Sequence, residues 1–409
     1  MGQSGFPLVL VLLFFTSLAP ARVCAQPDSV DDYLQAEMKE RRIPGLALAV
    51  IRDGEVVKMK GYGFANLEHD VPVTPDTVFE LASLTKQFTA AAIMLLVEEN
   101  KVRLEDPINR HLPDTPESWR AITVRQLLTH TAGLASMETG FKALYEGGVR
   151  VGYTTAQMFA AAKRDPMSSA PGERWQYSDV GYFLLGMILE QAAGVRYRDF
   201  VTERFFKPLG MASSSVLDQR AILKQRAAGY TLRQGKLVHI RRVVQTELPS
   251  HYGIFSTVRD LARWDAALAG GKAVTRSSLD QMWTPVRLNN GTYHNYGFGW
   301  EIGEQRGRRM VTHTGITGTE YTRFPGERLT VIVLTNLGRQ VGARGVDSWG
   351  LTKGVAGRVH PELALNFRQE PPGVGPRNII GKTFSSRGRL QLREPRAQRG
   401  HWRVAVCFP

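Results

Sequence analysis

The chain has 409 residues, 43% of them hydrophobic, and a formal net charge of +14. That is enough apolar material for one large core or two joined subdomains, while two cysteines, Cys24 and Cys407, exclude a disulfide framework or a thiolate metal site. The charge does not describe a nucleic-acid surface: between Asn366 and Pro409 nine basic residues face only Glu370 and Glu394, which places half of the excess in a short tail, and the body has no concentrated basic stripe.

Phe6 to Ala19 is an apolar run interrupted by Pro7, Thr16 and Ser17, shorter than the ~20 residues of a membrane span. Val23-Cys24-Ala25 then offers small residues for a signal peptidase. Residues 1–25 are therefore expected to be a signal peptide, with export to the periplasm or the extracellular space and no stable membrane insertion. The run lacks a preceding Lys or Arg, which keeps an uncleaved anchor as the alternative. Asp28 to Arg42 predicts a polar, capped helix. Leu46–Ile51, Asp53-Gly54 and Val56–Phe64 predict a hairpin with a tight turn. Gly61-Tyr62-Gly63 lacks the third glycine and the helix of a dinucleotide loop, and reads as strand glycine.

Ser83-Leu84-Thr85-Lys86 opens an apolar stretch from Phe88 to Val97 that predicts a buried helix. Ser83 would stand at its N-terminus, where free N–H groups and the helix dipole favour developing negative charge. Lys86, one turn on and desolvated, could accept the serine proton. A single Ser-x-x-Lys is expected by chance in a chain of this length, so the tetrapeptide needs support. Further helices are predicted after Thr123, over Asp179–Ala193, and from Thr257 to Gly270-Gly271; strands return at Tyr296–Trp300 after the Asn290-Gly291 turn, and at Met310–Thr314, Thr319–Phe324 and Leu329–Asn336. Strands at both ends around a helical middle imply an α/β fold with one sheet built from both termini. A mainly helical subdomain, residues 106–285, is inserted within a domain spanning 26–365, and the crevice between the parts is the expected site. Residues 366–409, rich in Pro, Gly and Arg, read as a poorly ordered tail or a truncated or misread C-terminal domain.

Two more stretches complete the constellation. Pro171 to Asp179 places Tyr177 in a turn just before a helix, and Val311-Thr312-His313-Thr314-Gly315 ends a late strand. With Ser83-Leu84-Thr85-Lys86 these resemble the three motifs of the serine β-lactamase and penicillin-binding-protein superfamily. The resemblance is closest to its class C β-lactamase-like branch, which includes family VIII carboxylesterases, D-aminopeptidases and DD-peptidases. It runs from about Val30 to Asn336 and includes Leu127-Leu128-Thr129-His130-Thr131-Ala132-Gly133-Leu134 and the Tyr296 to Trp300 segment. The resemblance implies a β-lactamase/transpeptidase-like fold and a serine hydrolase with no cofactor and no metal. Ser83 would be the acylated nucleophile, with Lys86 and Tyr177 sharing its proton. His313 would complete the catalytic set. The N–H groups of Ser83 and Ile316 would form the oxyanion hole, and Asp179, Thr314, Gly315 and Ile316 would line the substrate. His130 reads as a residue that hydrogen-bonds a turn.

Two departures bear on substrate. The third motif often begins with lysine and here has His313; the second usually ends in asparagine and here has Asp179. A neutral imidazole attracts no carboxylate, and an ionised Asp only accepts hydrogen bonds. A secreted carboxylesterase on neutral esters is the first expectation. A D-aminopeptidase, DD-peptidase or weak β-lactamase is the second, and a non-turnover β-lactam binder or structural relative the third. The partner is a small ester or peptide, not nucleic acid, and the sequence leaves the oligomeric state open.

Overall fold

A computed structural model describes residues 28–134, 152–218, 220–240, 245–338 and 348–365. The expected signal peptide and basic tail lie outside the described residues. The first helix, α1 (Ser29–Arg41), is capped by the Asp28 carboxylate, which accepts from the Val30 N–H, and ends at Arg42 in the left-handed conformation. Strands β1 (Gly45–Arg52) and β2 (Glu55–Asn66) form the predicted hairpin. Asp53 and Gly54, both at positive φ (55° and 86°), make its turn. Strand β3 (Val71–Pro72) continues from β2.

Late in the chain come β4 (Glu301–Gln305), β5 (Arg308–Gly315), β6 (Thr319–Phe324) and β7 (Leu329–Thr335). They join the early strands in one seven-stranded sheet ordered β4-β5-β6-β7-β1-β2-β3, with every pairing antiparallel. The junction β7–β1 pairs Leu46 with Thr335 through Arg52 with Leu329, so the sheet closes only when both ends of the domain meet. Its centre is covered on both faces, which is why β1 reads as a continuous apolar run rather than an alternating one. Leu46, Leu48 and Val50 point into a layer with α1 and the late helix at Ser348–Val359. Ala47, Ala49 and Ile51 point the other way, into the larger core.

That larger core is organised on α2 (Thr85–Glu98), whose residues from Thr85 to Met94 are all buried. Phe88 stacks on Trp264 of α3 (Val258–Ala269) with ring centroids 4.2 Å apart, and the Trp264 indole N–H donates to Gln87 Oε1 at 2.8 Å. Helix α3 is tied to the sheet by the buried Asp265 carboxylate, which accepts from Tyr321 Oη (2.6 Å) and Thr330 Oγ1 (2.9 Å). The middle of the chain holds the predicted helix over Asp179–Ala193 and the capped helix Val124–Leu128. It also contains short strands, among them Ile254–Ser256, which pairs on one side with Phe79–Glu80 just ahead of Ser83 and on the other with Ser215–Val216.

One expectation is corrected. Tyr296–Trp300 is not a strand beyond a single bridge from Tyr296 to Glu301. Gly299 sits at φ +74°, and a methyl there would lie 2.6 Å from the Lys86 carbonyl oxygen. The segment therefore bends against the start of α2 instead of running straight.

Candidate active site

Ser83 lies in a short 3-10 turn, Ala82–Leu84, that feeds directly into α2. The preceding Ala82 has φ +48°, an uncommon conformation for a residue with a Cβ, and its neighbours hold it there. Thr317 Oγ1 donates to the Glu80 carbonyl (2.7 Å) and Thr319 Oγ1 to the Leu81 carbonyl (2.9 Å). The β5–β6 turn is thus clamped onto the residues before the serine. Gly315, at the end of β5, makes the approach feasible: a methyl there would meet Leu81 O at 2.4 Å and Thr319 Oγ1 at 2.2 Å. Thr314 is buried and Ile316, next in chain, is 40% exposed.

Lys86 is fully buried, and its ammonium has one oxygen for each N–H. It donates to Asp179 Oδ1 at 2.7 Å, to the His251 carbonyl at 2.9 Å and to Ser83 Oγ at 3.4 Å. Each acceptor is fixed by its own local structure. Asp179 begins its helix behind an N-cap, Ser178, whose hydroxyl accepts from the Gly181 N–H. The His251 carbonyl sits in a loop held against α2, where Thr89 Oγ1 donates to Ser250 O (2.6 Å) and Ile254 N–H donates to Thr85 Oγ1 (3.0 Å). Burial pulls the Lys86 pKa down, with Asp179 opposing it. For Asp179, burial pushes up, but Lys86 and His251 outweigh it and keep the carboxyl below its usual range.

Tyr177 packs over the same ammonium, its ring centroid 4.8 Å from Nζ. Burial, reinforced by the Asp179 charge, raises the phenol well above its ordinary pKa; the Ser83 hydroxyl pulls it back only in part. No group meets full hydrogen-bond geometry with its buried oxygen among the described residues. Tyr177 is therefore an un-ionised phenol at neutral pH. Its loop is held by the segment around His130. Gln176 N–H donates to the His130 carbonyl (2.9 Å), Ser178 N–H donates to His130 Nδ1 (3.1 Å), and the two rings lie 4.3 Å apart. His130 does this from a left-handed backbone at φ +58°.

His313 is buried against Tyr296. Its Nδ1 lies 2.9 Å from the Thr314 carbonyl, which can only accept, so Nδ1 carries the proton. Nε2 then accepts from the Tyr296 hydroxyl at 2.9 Å. Both nitrogens are engaged in the neutral tautomer, and burial, helped by the Lys86 charge, lowers the pKa to about 3. Beyond Tyr177, Trp175 stacks on His294 with centroids 4.0 Å apart and planes at 10°, forming an aromatic wall.

The structure thus brings Ser83, Lys86, Tyr177, Asp179 and His313 into one cluster, Lys86 and His313 buried and the other three half-buried, with Gly315 packed against the turn that carries Ser83. Tyr296 and His251 are partners that sequence reasoning did not single out. Tyr296 lay within a stretch already noticed, whereas His251 contributes a backbone carbonyl, which no side-chain pattern announces. Among the described residues no group of three or more His, Cys, Asp or Glu is arranged to hold a metal ion, and no helix is long and apolar enough to cross a membrane.

The sequence model of the Beta-lactamase family matches residues 30–352. Penicillin-binding protein 4* of Bacillus subtilis is 32% identical over 319 residues, covering 73% of this chain and 69% of that protein. Protein flp of Staphylococcus aureus (strain N315) is 28% identical, covering 75% of this chain and 62% of its own length. Among solved structures, the octameric penicillin-binding protein homologue from Pyrococcus abyssi superposes with a TM-score of 0.69 at 29% identity, covering 81% of this chain and 76% of that one. EstCE1, described as a hydrolase with promiscuous acyltransferase activity, has the same fold, with a TM-score of 0.69 at 20% identity over 82% of this chain and 97% of its own.

The buried imidazoles set a pH dependence. Burial holds His313 down to about 3 and His251 to about 4, whereas in the unfolded chain each titrates near 6.5. Between these values the unfolded chain binds more protons than the folded one. Stability is therefore full above about pH 6.5 and is lost as pH falls toward 4. Each of the two should remove on the order of 2 kcal/mol between pH 6.5 and 5. Denaturant unfolding at stepped pH should show this decline; equal stability at pH 7 and 5 would contradict neutral burial.

Proposed function

We propose that this chain, a serine hydrolase that belongs to the Beta-lactamase family, forms an acyl-enzyme on Ser83 and acts chiefly as a carboxylesterase on neutral esters. The observation that carries this reading is the charge balance beside the nucleophile. The Lys86 ammonium is matched by Asp179 at 2.7 Å, and His313 is locked neutral between Tyr296 and Thr314. Neither motif offers a spare cation to a substrate carboxylate, and a neutral acyl group needs none. Ser83 supplies the attacking oxygen. The backbone N–H groups of Ser83 and Ile316 receive the carbonyl oxygen as it becomes negative. Tyr177, un-ionised, acts as a hydrogen-bond donor rather than a base. Water then releases the acid.

The same pairing weighs against a peptidase that would use Asp179 to hold a substrate amine, since that carboxylate is already committed to Lys86. A second reading is favoured by the name of the Bacillus relative, a penicillin-binding protein. In it Ser83 captures β-lactams and releases them slowly. The two readings separate on catalytic efficiency. Nitrophenyl butyrate should exceed a penicillin in kcat/KM by roughly 30- to 100-fold, the worth of a charge-assisted hydrogen bond that neutral His313 cannot make. His313→Lys should narrow that gap. A preference for the penicillin, or a stable penicilloyl adduct with no ester turnover, would sink the esterase reading.

Export belongs to the same proposal, supported by the apolar run from Phe6 to Ala19 and the small residues at 23–25. N-terminal sequencing of the protein recovered from its native host should begin near Gln26; an intact Met1 on protein recovered from the cytosol would rule it out.

A further inference from the structure

For Ser83 to attack, its hydroxyl proton must go somewhere, and the hydrogen bonds around it limit the choice. Lys86 donates to three oxygens, one of them Ser83 Oγ itself, and an ammonium has no lone pair with which to accept. Tyr177 is a phenol, not a phenolate. His313 Nε2 is occupied by the Tyr296 hydroxyl. His130 Nδ1 accepts from the Ser178 N–H, so its Nε2 carries hydrogen. Among the described groups, the one base joined to Ser83 by an unbroken chain of hydrogen bonds is the Asp179 carboxylate, reached through Lys86.

We propose that Asp179 takes up the proton that acylation removes from Ser83, with Lys86 as the relay. This rests on the reading of Ser83 as the nucleophile. As Oγ forms its bond to the carbonyl carbon, its proton passes to Nζ while Nζ gives one of its own to Asp179 Oδ1. The O–H electron pair becomes the new C–O bond, and the carbonyl π pair moves onto oxygen. Net charge is unchanged, because the carboxylate's negative charge is replaced by that of the oxyanion. On collapse the C=O bond re-forms and the leaving oxygen departs with its bonding pair. It takes a proton from Nζ, which recovers one from Asp179. Water repeats the sequence to release the acid.

In this path Asp179 acts through Lys86, so its part is to position and hold a proton. The ionisable groups that face it are Lys86 from α2, His251 and Tyr252 from the loop behind, His313 from β5, and Tyr177 from its own segment. Of these, Tyr177 lies beside Ser83 without full hydrogen-bond geometry, and the Lys86–Asp179 pair is the one joined to it by hydrogen bonds. The pair titrates as a unit: the competent form carries one mobile proton between the two groups, and acid fills the carboxylate.

The test measures the rate at which a fluorophosphonate labels Ser83, followed by intact mass across pH, a readout independent of which ester the enzyme prefers. The wild-type acid limb should lie below about pH 5, where Asp179 loses its capacity to accept. Asp179→Asn keeps an acceptor for Lys86 but cannot take a proton, so the amine of Lys86 must itself be free. The acid limb should then move up by at least about one pH unit, with labelling near pH 6 slowed roughly tenfold or more. Asp179→Glu should retain the wild-type limb position. A limb that stays put in Asp179→Asn, or one that shifts as far in Asp179→Glu, would overturn the proposal. If the Asn variant does not fold, a wild-type limb above about pH 6 overturns it alone. Labelling with the expected profile but no hydrolysis of neutral esters would remove the esterase reading and leave the proton path standing.

Discussion

A lysine ammonium with no solvent contact is the condition that the rest of this structure has to meet. Taking such a charge out of water costs several kcal/mol unless every N–H finds an acceptor and an opposite charge lies close by. Three chain segments converge on Lys86 to meet that requirement: the turn bearing Ser83, the helix that starts at Asp179, and the loop that presents the His251 carbonyl. None could do so unless the large core placed α2 against both halves of the domain. The stacking of Phe88 on Trp264 and the sheet closed between β1 and β7 therefore serve the site as much as stability.

Meeting the condition with a carboxylate fixes the electrostatic character of the crevice. A site whose lysine is balanced by Asp179 and whose third motif holds a neutral imidazole presents hydrogen-bond geometry without net positive charge. The Tyr296 hydroxyl strengthens this by filling the acceptor nitrogen of His313. Around that neutral centre, Tyr177, His130 and the Trp175–His294 pair form an aromatic enclosure. Such a wall suits an apolar acyl or alcohol group better than a charged one.

Much of this was legible in the sequence because it follows from local rules. Asp53-Gly54 can close a hairpin only one way, Asp179–Ala193 carries its cap and its periodicity, and the Val/Ile/Leu run of β7 is what a central strand requires. The three motifs, by residue type and order, named residues that the structure brings side by side. What escaped was decided by contacts between distant segments. Tyr296–Trp300 has the composition of a strand but bends because Gly299 must clear the Lys86 carbonyl. His251 contributes an oxygen that any residue could offer. Asp179 was legible as a hydrogen-bond acceptor, but its direct ion pair with Lys86 depended on where the two helices begin. The hydrogen bonding of His130 was foreseeable from its turn, whereas its partner, the backbone of Ser178, was not.

The central claim is that acyl transfer passes through Ser83. Rapid acid quench of the enzyme turning over a neutral nitrophenyl ester, followed by digestion and peptide mass mapping, tests it directly. The account predicts the acyl mass on the peptide that contains Ser83, at that residue. An acyl group on another residue, or undiminished turnover by Ser83→Ala, would contradict it.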